Sequence, residues 1–273
     1  MHGKVESGLI VPGEAATNNL LRALRQEDAD VLAEIATPWW GNLGDVLFSP
    51  GETVRYVYFP CGPSLISFVV VLEDGGAVET ALIGREGAAG GIVSQGRLPA
   101  YARAEVQFPG PFLRIELARL EEAKLRSLTL RHLFDRYADC LMAQMFQAVA
   151  CNAAHNIEQR AAKWLISAMD RTGAPAIPLT QEQLAVMLGV GRSYISRVLG
   201  AFRQRGLIET RRGTLVVNNV DELRMLACGC NDSVRQHFDE VLGGVYPAEG
   251  ISPETDARSG VNGAADLVGL NGR

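Results

Sequence analysis

TQEQLAVMLGVGRSYISRVLGAFRQRGLIETRRG, residues 180–213, sets two short apolar-periodic segments on either side of a Gly-Val-Gly turn and ends in arginines. Thr180 with Gln183 has the pattern of a capping box, in which the hydroxyl accepts the N3 amide and the glutamine side chain reaches back to the cap amide. A helix is predicted to start there, with Leu184, Ala185 and Leu188 facing inward. Gly189 and Gly191 can take positive φ and break it. A second helix is predicted from about Arg192 to Arg205, with Ile195, Val198, Leu199 and Phe202 on one face and Gly206 as its stop. Two short helices joined by such a turn make a helix-turn-helix, and LIETRRGTLVV after it reads as a hairpin turning at Gly213.

The opposite face of the second helix carries Arg192, Ser193, Ser196 and Arg197. Arginine's planar fork matches the O6 and N7 acceptors of guanine in the major groove, and serine hydroxyls serve base edges or phosphates. A helix N-terminus suits both base contact and nearby phosphate. Over residues 192–212 the charged side chains are Arg192, Arg197, Arg203, Arg205, Arg211 and Arg212 against Glu209 alone. Arg203 and Arg205 read as solvated or phosphate-facing, and Arg211 and Arg212 as wing contacts. The whole chain has 26 basic and 31 acidic residues, a net charge of −5. Bulk electrostatics therefore give no affinity for nucleic acid, and a DNA site has to be local.

Working outward, residues 156–232 form the predicted DNA-binding unit, beginning with the helix NIEQRAAKWLISAMDR, for which Asn156 is a suitable N-cap. The preceding segment, 120–155, is free of Gly and Pro and is predicted as one long helix. Phe134, Ala138, Leu141, Met145, Ala148 and Asn152 recur at spacings of three and four, the seam offered to a partner helix, and are expected to form a homodimer interface. Leu133, Tyr137, Met142, Phe146 and Val149 make a second apolar face, expected to pack on the domain before it. That domain, 18–119, opens with one or two short helices. From about residue 44 it runs through β-branched and aromatic segments separated by Gly- and Pro-rich breaks, the pattern of short antiparallel strands in a sandwich or roll. The fold class is α+β. Residues 249–273 are Gly-, Ser- and Asp-rich without periodicity and read as a disordered tail.

The five cysteines are scattered and read as reduced thiols. Cys228 and Cys230, the only close pair, read as two small, partly buried residues after a helix, and no metal is assigned to them. His132 and His155 read as surface or helix-end residues. No run approaches the roughly 20 apolar residues of a membrane span, and MHGKVESGLIVPGE lacks the apolar core of a signal peptide, so a cytoplasmic protein with no membrane partner is expected. No P-loop, GxSxG or HExxH pattern is present, which speaks against an enzyme.

The order of β-domain, long helix, helix-turn-helix and wing resembles the Crp/Fnr family of bacterial transcription regulators over roughly residues 18–230. The motifs NIEQRAAKWLI and LTQEQLAVMLGVGRSYISRVL carry the likeness most sharply. It implies a cyclic-nucleotide-binding-like β-roll, a phosphate contact at Thr180 beside Gln181, base contacts from Arg192 and Arg197, and RNA polymerase as a protein partner. Ser193 stands where the family often has an acidic residue, which loosens base preference. FSPGETVRYVYFPCG and ALIGREGAAGG are similar to the family's roll, and Glu86 would match the carboxylate that faces a ribose. Arg97 and Arg103 are the nearest candidates for a cyclic phosphate. Neither is followed by the hydroxyl residue that nucleotide binders pair with arginine, so cyclic nucleotide is disfavoured and no effector or cofactor is identified. Oxygen sensors of the family hold an iron–sulfur centre on clustered N-terminal cysteines, and no cysteine precedes Cys61 here. The alternative reading is a cyclic-nucleotide-sensing module whose helical C-terminal part meets a protein partner. The basic face, which a protein interface does not need, separates the two.

Overall fold

The computed structural model describes residues 18–73, 76–92 and 99–246. Two short helices, α1 (Asn19–Arg22) and α2 (Gln26–Ile35), lead into seven strands: β1 (Ala36–Gly41), β2 (Val46–Phe48), β3 (Tyr56–Pro60), β4 (Leu65–Val71), β5 (Ala77–Ile83), β6 (Arg103–Phe108) and β7 (Gly110–Glu116). They form two antiparallel sheets ordered β1-β7-β3 and β2-β6-β4-β5, the expected roll. β1, ATPWWG, lies ahead of the stretch that sequence patterning marks as strand. It is an edge strand, where proline is tolerated. Trp39 packs its ring 5.3 Å from Tyr58 and 5.4 Å from Phe112.

The predicted single helix over 120–155 is two, α3 (Leu117–Arg126) and α4 (Leu128–Ala154). Ser127 separates them in extended conformation, and its side chain accepts from the amide of Leu130. Serine bonds readily to its own neighbourhood and so can stop a helix that contains neither Gly nor Pro.

The faces of α4 depart in part from the roles read from the sequence, although Tyr137 lies inward as expected. Phe134 and Leu141, placed in the expected dimer seam, are buried in their own subunit's core together with Tyr137. Ala138 and Ala148 are half-buried, and Met145 and Asn152 remain exposed. Met142, Phe146 and Val149, assigned inward, lie outward instead, at 48%, 67% and 70% exposure. Tyr137 sets the orientation of the helix. Its hydroxyl accepts from the amide of Ala88 at 2.8 Å and donates to the carbonyl of Ala88 at 2.9 Å. A Cβ at Gly87 would fall 2.1 Å from that oxygen, so only glycine lets the loop approach.

The C-terminal half consists of α5 (Ile157–Thr172), β8 (Ala176–Ile177), α6 (Gln181–Leu188), α7 (Arg192–Gln204), β9 (Ile208–Arg211), β10 (Thr214–Val217), α8 (Val220–Leu226) and α9 (Cys230–Leu242). Asn156 and Gln159 make a capping box at α5, and β8-β10-β9 form the wing sheet. Two cores hold the chain. One joins the inside of the roll to α4 and, through Val234, Phe238, Val245 and Tyr246, to α9 and the residues after it. Phe238 meets Tyr137 edge-on at 6.4 Å. Sequence patterning did not reveal this return of the chain to α4. The other core holds α5, α6 and α7 around Trp164, Leu184, Ile195 and Phe202, and includes Leu65, Leu82 and Phe108 from the roll. The helix-turn-helix unit is thus docked on the roll. The expected tail, 249–273, and Arg97 lie outside the described residues. Among the described residues no helix is long and apolar enough to cross a membrane.

Candidate nucleic-acid interface

The helix pair follows its sequence signals closely. Thr180 caps α6, accepting from the amide of Gln183 at 3.2 Å while Gln183 accepts from the amide of Thr180 at 2.9 Å. Gly189 ends α6 at φ +66° in the left-handed region, which glycine reaches without a Cβ penalty. Gly191 then caps α7, whose Ile195, Val198, Leu199 and Phe202 are buried. Arg192, Ser193 and Arg197 are exposed and Ser196 half-exposed, so the polar face predicted for the second helix is outward. Thr180 is exposed and Gln181 half-exposed at the start of α6. Arg211 and Arg212 are exposed on the wing, which turns at Gly213 with φ +72°.

Not every arginine of the stretch is available. Arg205 bonds Glu222 at 2.8 Å, with Glu158 at 3.9 Å. Arg211 pairs with Glu209 at 3.3 Å. Arg197 lies over the ring of Tyr194, 5.2 Å from its centroid. Glu182, which sequence reading passed over, stands 3.4 Å from Arg192. Both side chains are mostly exposed, and such a pair contributes little, so Arg192 can exchange it for a base edge.

The residues assigned to an effector are placed differently from expectation. Glu86 is 1% exposed and faces α5, where it accepts from Nε of Arg171 at 2.8 Å and from the amide of Gly84 at 3.0 Å. Its partner is 85 residues away in the chain, which explains why a carboxylate in a glycine-rich loop looked free. Arg103 pairs with Glu105 at 3.0 Å. Neither residue lines the roll's cavity of about 500 Å³ beside α4, whose described lining is apolar except for Thr80, Tyr101 and Asn152.

Docking of the two halves also encloses a carboxyl. Glu79 of β5 is half-buried as a residue, but its Oε1 accepts from the Trp164 indole at 2.7 Å and its Oε2 is sealed without a hydrogen bond. Burial pushes this carboxyl up to about 8, with Glu105 acting in the same direction and Trp164, Lys163 and Arg171 opposing. The same group ionises near 4.5 when free of the fold. The folded chain therefore holds its proton while the unfolded chain releases it. The stability due to the neutral carboxyl is complete below pH 4.5 and is lost as pH rises through 8, at about 1.4 kcal/mol per unit between those limits. Glu79→Gln is expected to raise the unfolding midpoint relative to the parent by an amount that grows from pH 5 to pH 8. Equal pH slopes for the two proteins would remove Glu79 as the cause.

Cys228 and Cys230 are not the isolated pair that the sequence suggested. Both are buried, and with Cys151 and His155 at the end of α4 they bring three sulfurs and a ring nitrogen together. A separation of 77 residues between Cys151 and Cys228 hid the group from any spacing pattern.

A family model for the Crp-like helix-turn-helix domain matches residues 159–226. Over a longer stretch, the fold is similar to that of solved transcription regulators, among them members of the Crp/Fnr family. FixK2 from Bradyrhizobium japonicum is 18% identical with a TM-score of 0.59, covering 71% of this chain and 98% of its own. The c-di-GMP responsive global regulator CLP of Xanthomonas campestris is 15% identical with a TM-score of 0.58, covering 71% and 99%. A putative transcriptional regulator of the Crp/Fnr family from Eubacterium rectale is 16% identical with a TM-score of 0.56, covering 76% and 96%. Comparison with curated proteins gives no match.

Proposed function

We propose that the protein is a sequence-specific, non-enzymatic regulator of transcription that binds double-stranded DNA in the cytoplasm as a homodimer. Each α7 enters a major groove, and the two copies read an inverted repeat with half-sites about one helical turn apart. The observation that carries this is the outward face of α7, where Arg192, Ser193 and Arg197 are exposed at the N-terminal end of a helix whose other face is buried. Thr180, Gln181, Arg211 and Arg212 serve the phosphate backbone, and Ser196 supports base contact. The dimer forms through the exposed apolar face of α4, Met142, Met145, Phe146 and Val149, which keeps Met145 from the seam read from the sequence and gives up Phe134 and Leu141. Contact with RNA polymerase follows from the family resemblance.

Selection of bound fragments from a genomic library, at near-physiological salt, tests the reading. The parent is expected to recover an inverted repeat. Arg192→Ala is expected to bind it about 10- to 100-fold more weakly and to relax one position per half-site, the loss of 1–3 kcal/mol that goes with a bidentate base contact. Recovery of no motif by the parent, or equal selectivity in the variant, would count against base readout by α7.

A further inference from the structure

We propose that Cys151, His155, Cys228 and Cys230 form a tetrahedral site for one zinc ion, which clamps the end of α4 to the junction of α8 and α9. Cys151 lies in the last turn of α4, and His155, four residues on, is its C-cap in extended conformation. Cys228 lies between α8 and α9, and Cys230 is the first residue of α9. Cys151 Sγ is 3.6 Å from Cys228 Sγ, and Cys230 Sγ is 3.4 Å from His155 Nδ1. All four donor atoms lie within 4.8 Å of one another.

That spacing selects the occupant. A tetrahedral ion with Zn–S bonds of about 2.3 Å and a Zn–N bond of about 2.0 Å sets its ligand atoms about 3.5–3.8 Å apart. An iron–sulfur cluster places its own irons and sulfides between the thiolates and needs a wider cage. Soft sulfur donors exclude magnesium and calcium. A disulfide between Cys151 and Cys228 would leave Cys230 and His155 without a role. The three cysteines are buried yet join neither hydrophobic core; they form a cluster of their own. Burying three thiols against one another gains little packing, whereas a metal turns the same group into the strongest contact of the junction. Three thiolates and a dication leave one negative charge, which Lys163 is near enough to offset. His155 is half-buried.

The clamp sits at a junction that matters mechanically. His155 caps the end of α4, and Asn156 caps the start of α5. A filled site therefore holds the link from the roll to the helix-turn-helix and ties the beginning of α9 to the same point.

The full-length chain, reduced and stripped with a chelator, is titrated with Zn²⁺ against a chromophoric competitor and separately with Co²⁺. One equivalent of zinc per chain is expected, together with the thiolate-to-cobalt charge-transfer and intense d–d absorption of tetrahedral cobalt. Cys228→Ser and Cys230→Ser should each weaken zinc binding by more than about 100-fold, since even the outer partners of metal ligands are worth 10–100-fold. His155→Cys should keep the tetrahedral cobalt spectrum, which shows that the position and not the imidazole is required. Zinc should raise the unfolding midpoint of the parent and not that of Cys230→Ser. Parent protein that takes up no zinc, gives an octahedral cobalt spectrum, shows no zinc-dependent midpoint or carries a sulfide-containing iron centre when isolated without oxygen would overturn the proposal. These measurements on the unsubstituted chain stand even if a serine variant fails to fold, and none depends on DNA binding.

Discussion

Arg171→Met is expected to lower the unfolding midpoint by roughly 10 °C, corresponding to about 3–5 kcal/mol for removing one partner of a buried ion pair. Arg171 and Glu86 have side chains only 2% exposed and meet at 2.8 Å. Without the guanidinium, Glu86 keeps only the Gly84 amide as a described partner for Oε1, and its Oε2 is already buried without one. Arg171 also donates to the Ser167 hydroxyl and lies over Tyr246, 5.0 Å from the ring centroid, so the loss extends to the residues after α9. Because Glu86 belongs to the roll and Arg171 to α5, the variant should unfold in two calorimetric steps where the parent shows one. Adding Glu86→Gln should recover much of the loss, since the stranded charge and not the missing attraction is the larger cost. A single variant as stable as the parent would show that water reaches the pair.

Phe146→Glu combined with Val149→Glu should convert the protein to a monomer by sedimentation and leave its unfolding midpoint nearly unchanged. Both side chains are about two-thirds exposed in the single chain, so neither substitution places a charge in a core. Facing a second α4, the four carboxylates of two copies would repel and lose hydration. Affinity for an inverted repeat should then fall about 10²–10⁴-fold, the gain normally obtained by linking two half-site contacts, while affinity for an isolated half-site stays the same. A variant that remains dimeric would move the interface away from this face.

Local chemistry was legible wherever partners are close in the chain. The Thr180–Gln183 and Asn156–Gln159 boxes, the glycine at 189 and the wing turn at Gly213 lie within four residues of what they bond or turn. Apart from β1, the roll's strands were legible for the same reason, because alternation and breaks are local. The face of α4 was not, because Phe134, Ala138 and Leu141 are spaced like Met142, Phe146 and Val149. Periodicity shows that a helix has two apolar stripes and does not say which one meets its own roll. Glu86, the cysteine group and the packing of Phe238 on Tyr137 all depend on contacts across dozens of residues, and no short pattern marks them.

Ser127 has a consequence for how finely such a molecule could be adjusted. The 27 residues of α4 make a rod about 40 Å long, jointed to α3 at one non-helical residue. Turning that rod by 5° about its joint swings the far end through about 3.5 Å, by the same geometry. That sweep is close to the rise of one base pair, about 3.4 Å. The same turn carries Tyr137, about 15 Å along the rod, through only about 1.3 Å, so in the proposed DNA-bound dimer a shift at the roll small enough for one hydrogen-bonded side chain to follow by repacking is geared into a whole step along a double helix.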